Sequence, residues 1–227
     1  MPKKEIENNA EERVNKIYIY FTWFFRFALV IALILEIYQQ RWLLFFVTLL
    51  ALFLTFFPVF FEKKYNIYIP PEFHLFITIF IYASIYLGEV HRFYDRYWWW
   101  DSLLHAGAGF ALGIIGFAIM YVLFKSNKIK ASASMIAFLA FCFAVAMGTL
   151  WEIFEFTMDT IFGLNMQKTH IGTGVTDTMY DLIIDSLGAL VASIAGYFYL
   201  KKGDSRIYNK LVKHFEKKNP HLFKKNK

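Results

Sequence analysis

The sequence predicts an all-α polytopic membrane protein: a bundle of about six transmembrane helices with both termini in the cytoplasm. Three observations carry this expectation. Hydrophobic residues make up 58% of the 227, with a mean hydropathy of +0.41, which is more apolar surface than a soluble domain of this length needs for its core. Those residues gather in runs near the ~20 residues that a bilayer-spanning helix requires. Lys and Arg, finally, are shared unequally between alternate connecting segments, as they are in proteins oriented across a membrane.

The opening "MPKKEIENNAEERVNK" is hydrophilic and mixed in charge, and reads as a cytoplasmic segment over 1–16. The apolar run after it is too long for a signal peptide and shows no small-residue cleavage site, so it is expected to stay as the first span. The spans fall at about 17–38, 41–61, 72–88, 99–124, 131–161 and 179–200. "IPPE" (Ile69 to Glu72) separates the second from the third, because proline suits the first turn of a helix but not its interior. A transmembrane domain over 17–200 is followed by a basic tail over 201–227. Lys63, Lys64, Lys125, Lys128, Lys130 and the tail share one side, while Arg41, Arg92, Arg96 and Lys168 fall on the other. The first side is therefore expected to be cytoplasmic, and the loops near 89–98 and 162–178 to face outward. Trp98, Trp99 and Trp100 stand where the fourth span meets that outer face, as an interfacial belt would. The formal net charge of +6 is concentrated after Lys201, which suits membrane lipids or solvent and not nucleic acid. The single cysteine, Cys142, can form neither an internal disulfide nor a thiolate cluster, and is expected to be a small core residue.

Charged residues inside apolar spans are costly and need a reason. The fourth span begins with Asp101 and His105, the fifth ends with Glu152, Glu155 and Asp159 in "WEIFEFTMD", and the sixth begins with Asp177, Asp181 and Asp185. Each set is spaced by three or four residues and so lies on one helical face. Alternating span directions bring all seven carboxylates and the imidazole to the same membrane depth. The same faces continue as Gly109 and Gly113, as Ala144 and Gly148, and as Gly188, Ala192 and Gly196. Small residues at such intervals allow close approach of helix backbones, so the acids are expected to point at one another in a cavity open to the outer side. So many buried carboxylates call for protons, basic partners or a bound cation. Arg26, in the first span, is a candidate charge partner. The oxygen-rich set suits a divalent cation such as Mg²⁺, Mn²⁺ or Ca²⁺, and His105 admits Zn²⁺. Metal ligands are thus sought among Asp101, His105, Glu152, Glu155, Asp159, Asp177, Asp181 and Asp185, and catalytic groups among Glu152, Asp181 and Asp185. Asp101 and Asp177 also suit helix N-termini, and Trp151 and Tyr180 read as packing aromatics.

The runs "WWDSLLHAGAGF", "GTLWEIFEFTMD" and "GVTDTMYDLIIDSLGA", in that order, resemble the uncharacterised YjdF-like family of prokaryotic membrane proteins. More distantly the order is similar to that of VanZ-like proteins. That resemblance implies roles for Asp101 and His105, for Gly148 and Glu152, and for Asp181 with Gly188. Where VanZ-like sequences usually carry Asn, this chain has Asp185. The resemblance covers about residues 88–200; the first three spans share only hydropathy.

Three functions fit these residues. A cation-dependent enzyme at the outer leaflet would act on a lipid-linked or polyprenyl phosphate. A cation or proton transporter would use the acids as a relay, although Gly and Ala replace polar groups beyond Asp185. A structural or accessory protein would use them as a buried network. The enzyme reading is preferred, although neither the "DGxxAR" run of CDP-alcohol phosphotransferases nor the Asn-Asp-x-x-Asp motif of aromatic prenyltransferases occurs.

Overall fold

The computed structural model describes residues 2–167, 174–202 and 206–224, and their side chains except for 2–11 and 206–210. Among the described residues all regular structure is helical. Six helices are long and apolar enough to cross a bilayer, at Glu12–Tyr38, Trp42–Tyr65, Pro71–Val90, Trp100–Lys125, Ala133–Phe162 and Gly174–Lys202. The protein is a multi-pass membrane protein. Two compact units divide the chain, at 1–100 and 101–227.

The first unit is built on α1 (Pro2–Tyr38), which packs on α2 (Trp42–Leu54) and α4 (Pro71–Ile81). Its buried positions Thr22, Arg26, Leu29, Leu33 and Glu36 alternate steps of four and three, the spacing that keeps one stripe of a helix facing its neighbours. The helix starts at Pro2, so the hydrophilic opening segment is helical and leads without a break into the first span, Glu12–Tyr38. The second span is interrupted: α2 ends at Leu54, and α3 runs over Phe57–Tyr65. Pro58 explains the break, since it lacks the N–H that would bond Leu54 and its ring crowds that carbonyl. The third span continues from α4 as a π-helical segment, Tyr82–Val90. Gly88 there lies against the Tyr94 ring, leaving no room for a Cβ. The short α5 (Phe93–Arg96) follows.

The second unit holds α6 (Trp100–Lys125), α7 (Ala133–Phe162) and α8 (Gly174–Lys202). Ser132 caps α7 by accepting from the Met135 N–H at 3.2 Å. Gly163, at φ +63°, ends that helix in the left-handed conformation glycine tolerates. One stripe of each helix is buried by small residues. Gly113 leaves a gap in which a Cβ would stand 2.7 Å from that of Ala192, and Gly116 one in which it would stand 2.9 Å from the Ala140 carbonyl oxygen. Without side chains at those points the helices approach at backbone distance. Cys142 lies off the buried stripe Ala140–Ala144–Gly148 and is exposed, a correction to the core position expected for it. The sixth span begins at Gly174, five residues earlier than its hydropathy suggested, because Asp177 and Asp181 lower the apolar average without interrupting the helix. The basic tail is helical over α9 (Arg206–Lys218) and ends in a 3₁₀ turn at Pro220–Phe223. It docks on the end of α6: the Tyr121 hydroxyl donates to Glu216 Oε2 at 3.4 Å, and the Tyr121 and Phe223 ring centroids stand 6.0 Å apart.

Candidate functional site

Helix pitch places the acids. In α6, Asp101 occupies the first turn and His105 stands one turn further on, over Gly109. In α7, Glu152 and Glu155 continue the buried line of Ala144 and Gly148. In α8, Asp181 and Asp185 continue that of Ala189 and Ala192. Exposed apolar residues such as Ile183, Leu187 and Val191 take the opposite face of α8, so the polar stripe is turned into the unit.

The result is a ring of carboxylates around one imidazole. His105 is 7% exposed, and Glu152, Asp181 and Asp185 are each 3% exposed. His105 Nε2 lies 3.8 Å from Asp101 Oδ1 and 3.9 Å from Asp181 Oδ2. His105 Nδ1 lies 3.4 Å from Asp185 Oδ1 and 3.9 Å from Glu152 Oε1. Only the Asp185 contact comes near hydrogen-bond distance, and it is not in bonding geometry. Asp181 Oδ2, Asp185 Oδ1 and both Glu152 oxygens are buried without a hydrogen-bond partner. Thr178 stands close enough to Glu152 to interact electrostatically, but not in bonding geometry. Buried oxygens left in this state carry an unmet desolvation cost.

One group within the ring has the compactness of a cation site. Asp101, His105 and Asp181 each offer a ligand atom, and the three atoms lie within 4.8 Å of one another. Two carboxylates and one imidazole suit Zn²⁺ or Mn²⁺, and Mg²⁺ if water fills the remaining positions.

The other candidate residues are placed differently. Glu155 is buried, and its Oε1 accepts from Trp151 Nε1 at 2.9 Å, so this tryptophan is more than packing. Asp159 is not among the carboxylates within 4.0 Å of His105. Its two oxygens accept from the Met166 and Gln167 backbone N–H groups at 2.7 and 2.9 Å, which ties down the chain leaving α7 after Gly163. Asp177 lies half-buried in the first turn of α8, where a carboxylate meets the positive end of the helix dipole. Arg26 serves the first unit. Its Nη2 donates to the Thr55 carbonyl at 2.7 Å and its Nε to Thr55 Oγ1 at 3.2 Å, while its guanidinium carbon lies 4.0 Å from the Phe56 ring centroid. The break at Thr55 frees that carbonyl, so Arg26 straps an interrupted helix. Lys168 and residues 170–173 of the outer connecting segment lie outside the described residues.

One tether was not read from the sequence. Gln167 Nε2 donates to Thr178 Oγ1 at 2.8 Å, linking the chain after α7 to the first turns of α8 beside the ring. The paired carboxamide and hydroxyl carry no spacing that would have revealed them. Glu36, by contrast, carries a visible signal as an acid within a span; it is 7% exposed and accepts from Thr48 Oγ1 at 2.8 Å.

Comparison with known proteins agrees with this architecture. The family described as "Predicted membrane protein (DUF2238)" matches residues 21–202, which include every residue of the ring. A protein of Thermotoga maritima described as "Uncharacterized protein" is 32% identical over 146 residues, covering 64% of this chain and 71% of that one. No solved structure matches. With the match extending across all six spans, the chain belongs to the DUF2238 family of predicted membrane proteins.

Proposed function

We propose that the ring binds a divalent cation through Asp101, His105 and Asp181, and that the loaded site is enzymatic, acting on the phosphate of a lipid-linked substrate. The observation that carries this reading is the coincidence of the compact three-ligand group with buried, unbonded oxygens at Asp181 and Glu152. A cation answers the charge and the missing bonds together, whereas a packed apolar side chain answers neither. Once bound, it would neutralise phosphate oxygens and make an attacking water more acidic. Glu152, with both oxygens unbonded beside His105, is the carboxylate available to take the proton.

Depth supports the substrate class. His105 lies five residues into α6, roughly 7.5 Å along the axis from its start at Trp100. Trp98, 84% exposed, precedes that start in sequence, and tryptophan concentrates at the headgroup level of a bilayer. A site this near the helix end can meet a lipid phosphate whose chain remains in the membrane. Past the ring, Gly113, Ala189 and Ala192 pack closely, which favours a site opening at one end over a path across the membrane. The lysine and arginine asymmetry supports an outward orientation for that end.

The test is phosphate release by full-length protein in proteoliposomes carrying polyprenyl phosphate or polyprenyl diphosphate, supplied in turn with Mg²⁺, Mn²⁺, Ca²⁺ and Zn²⁺. Release that needs a cation and disappears in Asp181→Asn supports the reading. Cation binding without release from either substrate would leave a binding site and end the enzymatic assignment.

A further inference from the structure

The two nitrogens of His105 face unlike surroundings. The Nε2 side, with Asp101 and Asp181, supplies the compact ligand group. The Nδ1 side holds Asp185 at 3.4 Å and Glu152 at 3.9 Å. Asp185 is also held in a way that Asp181 is not. Gly148 of α7 lies so near that a Cβ there would stand 2.5 Å from Asp185 Oδ2. Gly109 of α6 packs against the main-chain carbonyl of Asp185, without space for a Cβ. One turn on, Gly188 of α8 returns the contact, with the Ala106 carbonyl 2.5 Å from where its Cβ would be. Glycine surfaces of two other helices thus hold Asp185 at its backbone and at one carboxylate oxygen. The remaining oxygen, Oδ1, is the one facing Nδ1 and has no other partner.

We propose that Asp185 is a positioning residue for His105, and not a ligand of the cation. It accepts the Nδ1–H of His105 and so fixes the tautomer in which bare Nε2 faces the cation shared with Asp101 and Asp181. A carboxylate behind a ligating imidazole orients the ring and raises its basicity, and loss of such a partner typically lowers metal affinity about 10–100-fold. The inference rests on the cation reading above. It divides the ring into a ligand side and a supporting side, and gives Gly148 the task of holding the support.

The experiment uses full-length protein in detergent, with Co²⁺ as the probe for affinity and ligand-field spectrum, and with Zn²⁺ for ¹⁵N NMR of labelled histidine. Wild type should bind one Co²⁺ per chain. Asp185→Asn should keep that stoichiometry and spectrum while affinity falls about 10–100-fold. Gly148→Ala, which leaves all carboxylates in place but crowds Oδ2, should lose affinity in the same direction. Asp181→Asn should lose binding or alter the spectrum. In Zn²⁺-loaded wild type, Nδ1 of His105 should carry the proton and Nε2 the metal, a readout that does not depend on any variant folding. Metal on Nδ1, a spectrum altered in Asp185→Asn as in Asp181→Asn, or unchanged affinity in Asp185→Asn would overturn the inference while leaving the cation reading standing. Wild type that takes up neither Co²⁺ nor Zn²⁺ would overturn the inference, and failure to take up Mg²⁺, Mn²⁺ and Ca²⁺ as well would overturn the cation reading.

Discussion

His105, Asp181 and Asp185 meet because residues four apart share a helix face and because α6 and α8 touch through glycine. That much was legible from spacing and from the small-residue stripe. The diversion of Asp159 was not, since it depends on the turn after Gly163 bringing the Met166 and Gln167 N–H groups back toward the helix. Nor could the stripe show which glycine faces which atom. Two glycines of α6 make that distinction testable. A Cβ at Gly109 would run into the Asp185 carbonyl, which is fixed in α8, whereas a Cβ at Gly107 meets nothing within 4 Å. Gly109→Ala should therefore cost about 1–3 kcal/mol through overpacking. Gly107→Ala should be neutral, or stabilise by about 0.5–1 kcal/mol through helix propensity. Melting of the two variants in detergent checks this; equal melting temperatures would count against the close α6–α8 contact.

At the scale of elements, span number follows from hydropathy, but hydropathy carries no information on helix continuity. Pro58 was the available sign that the second span breaks, and the apolar run around it hid the sign. The opening segment and the tail were expected only as cytoplasmic segments, with no secondary structure assigned; both are helical. The interruption also changes the account of Arg26. A buried cation in a span suggested a partner for the acids, whereas Arg26 donates to Thr55, a residue with 0% exposure. Arg26→Met should leave the freed Thr55 carbonyl buried and unbonded, at a cost of about 1–3 kcal/mol. Arg26→Lys should recover part of this, since one ammonium can meet the carbonyl but lacks the guanidinium fork. Thermal melts rank the three proteins, and an Arg26→Met protein as stable as wild type would remove the strap from the account.

At the scale of the whole molecule, the two acid-bearing spans that end in basic turns, at Lys125 and at Lys201 and Lys202, do so at the end of the helix away from the acids. This polarity predicts cytoplasmic termini and a ring near the outer surface. A reporter fused after Lys227 should be active only on the cytoplasmic side. The central claim is that the ring exists to hold a cation, and calorimetric titration of purified, chelator-stripped protein tests it most directly. With Mg²⁺, Mn²⁺, Ca²⁺ and Zn²⁺ tried separately, at least one should bind wild type saturably at one site per chain. The same ion should bind Asp181→Asn at least about tenfold more weakly, a loss of about 1.4 kcal/mol or more. Failure of all four ions to bind wild type, or equal binding by Asp181→Asn, would contradict the account.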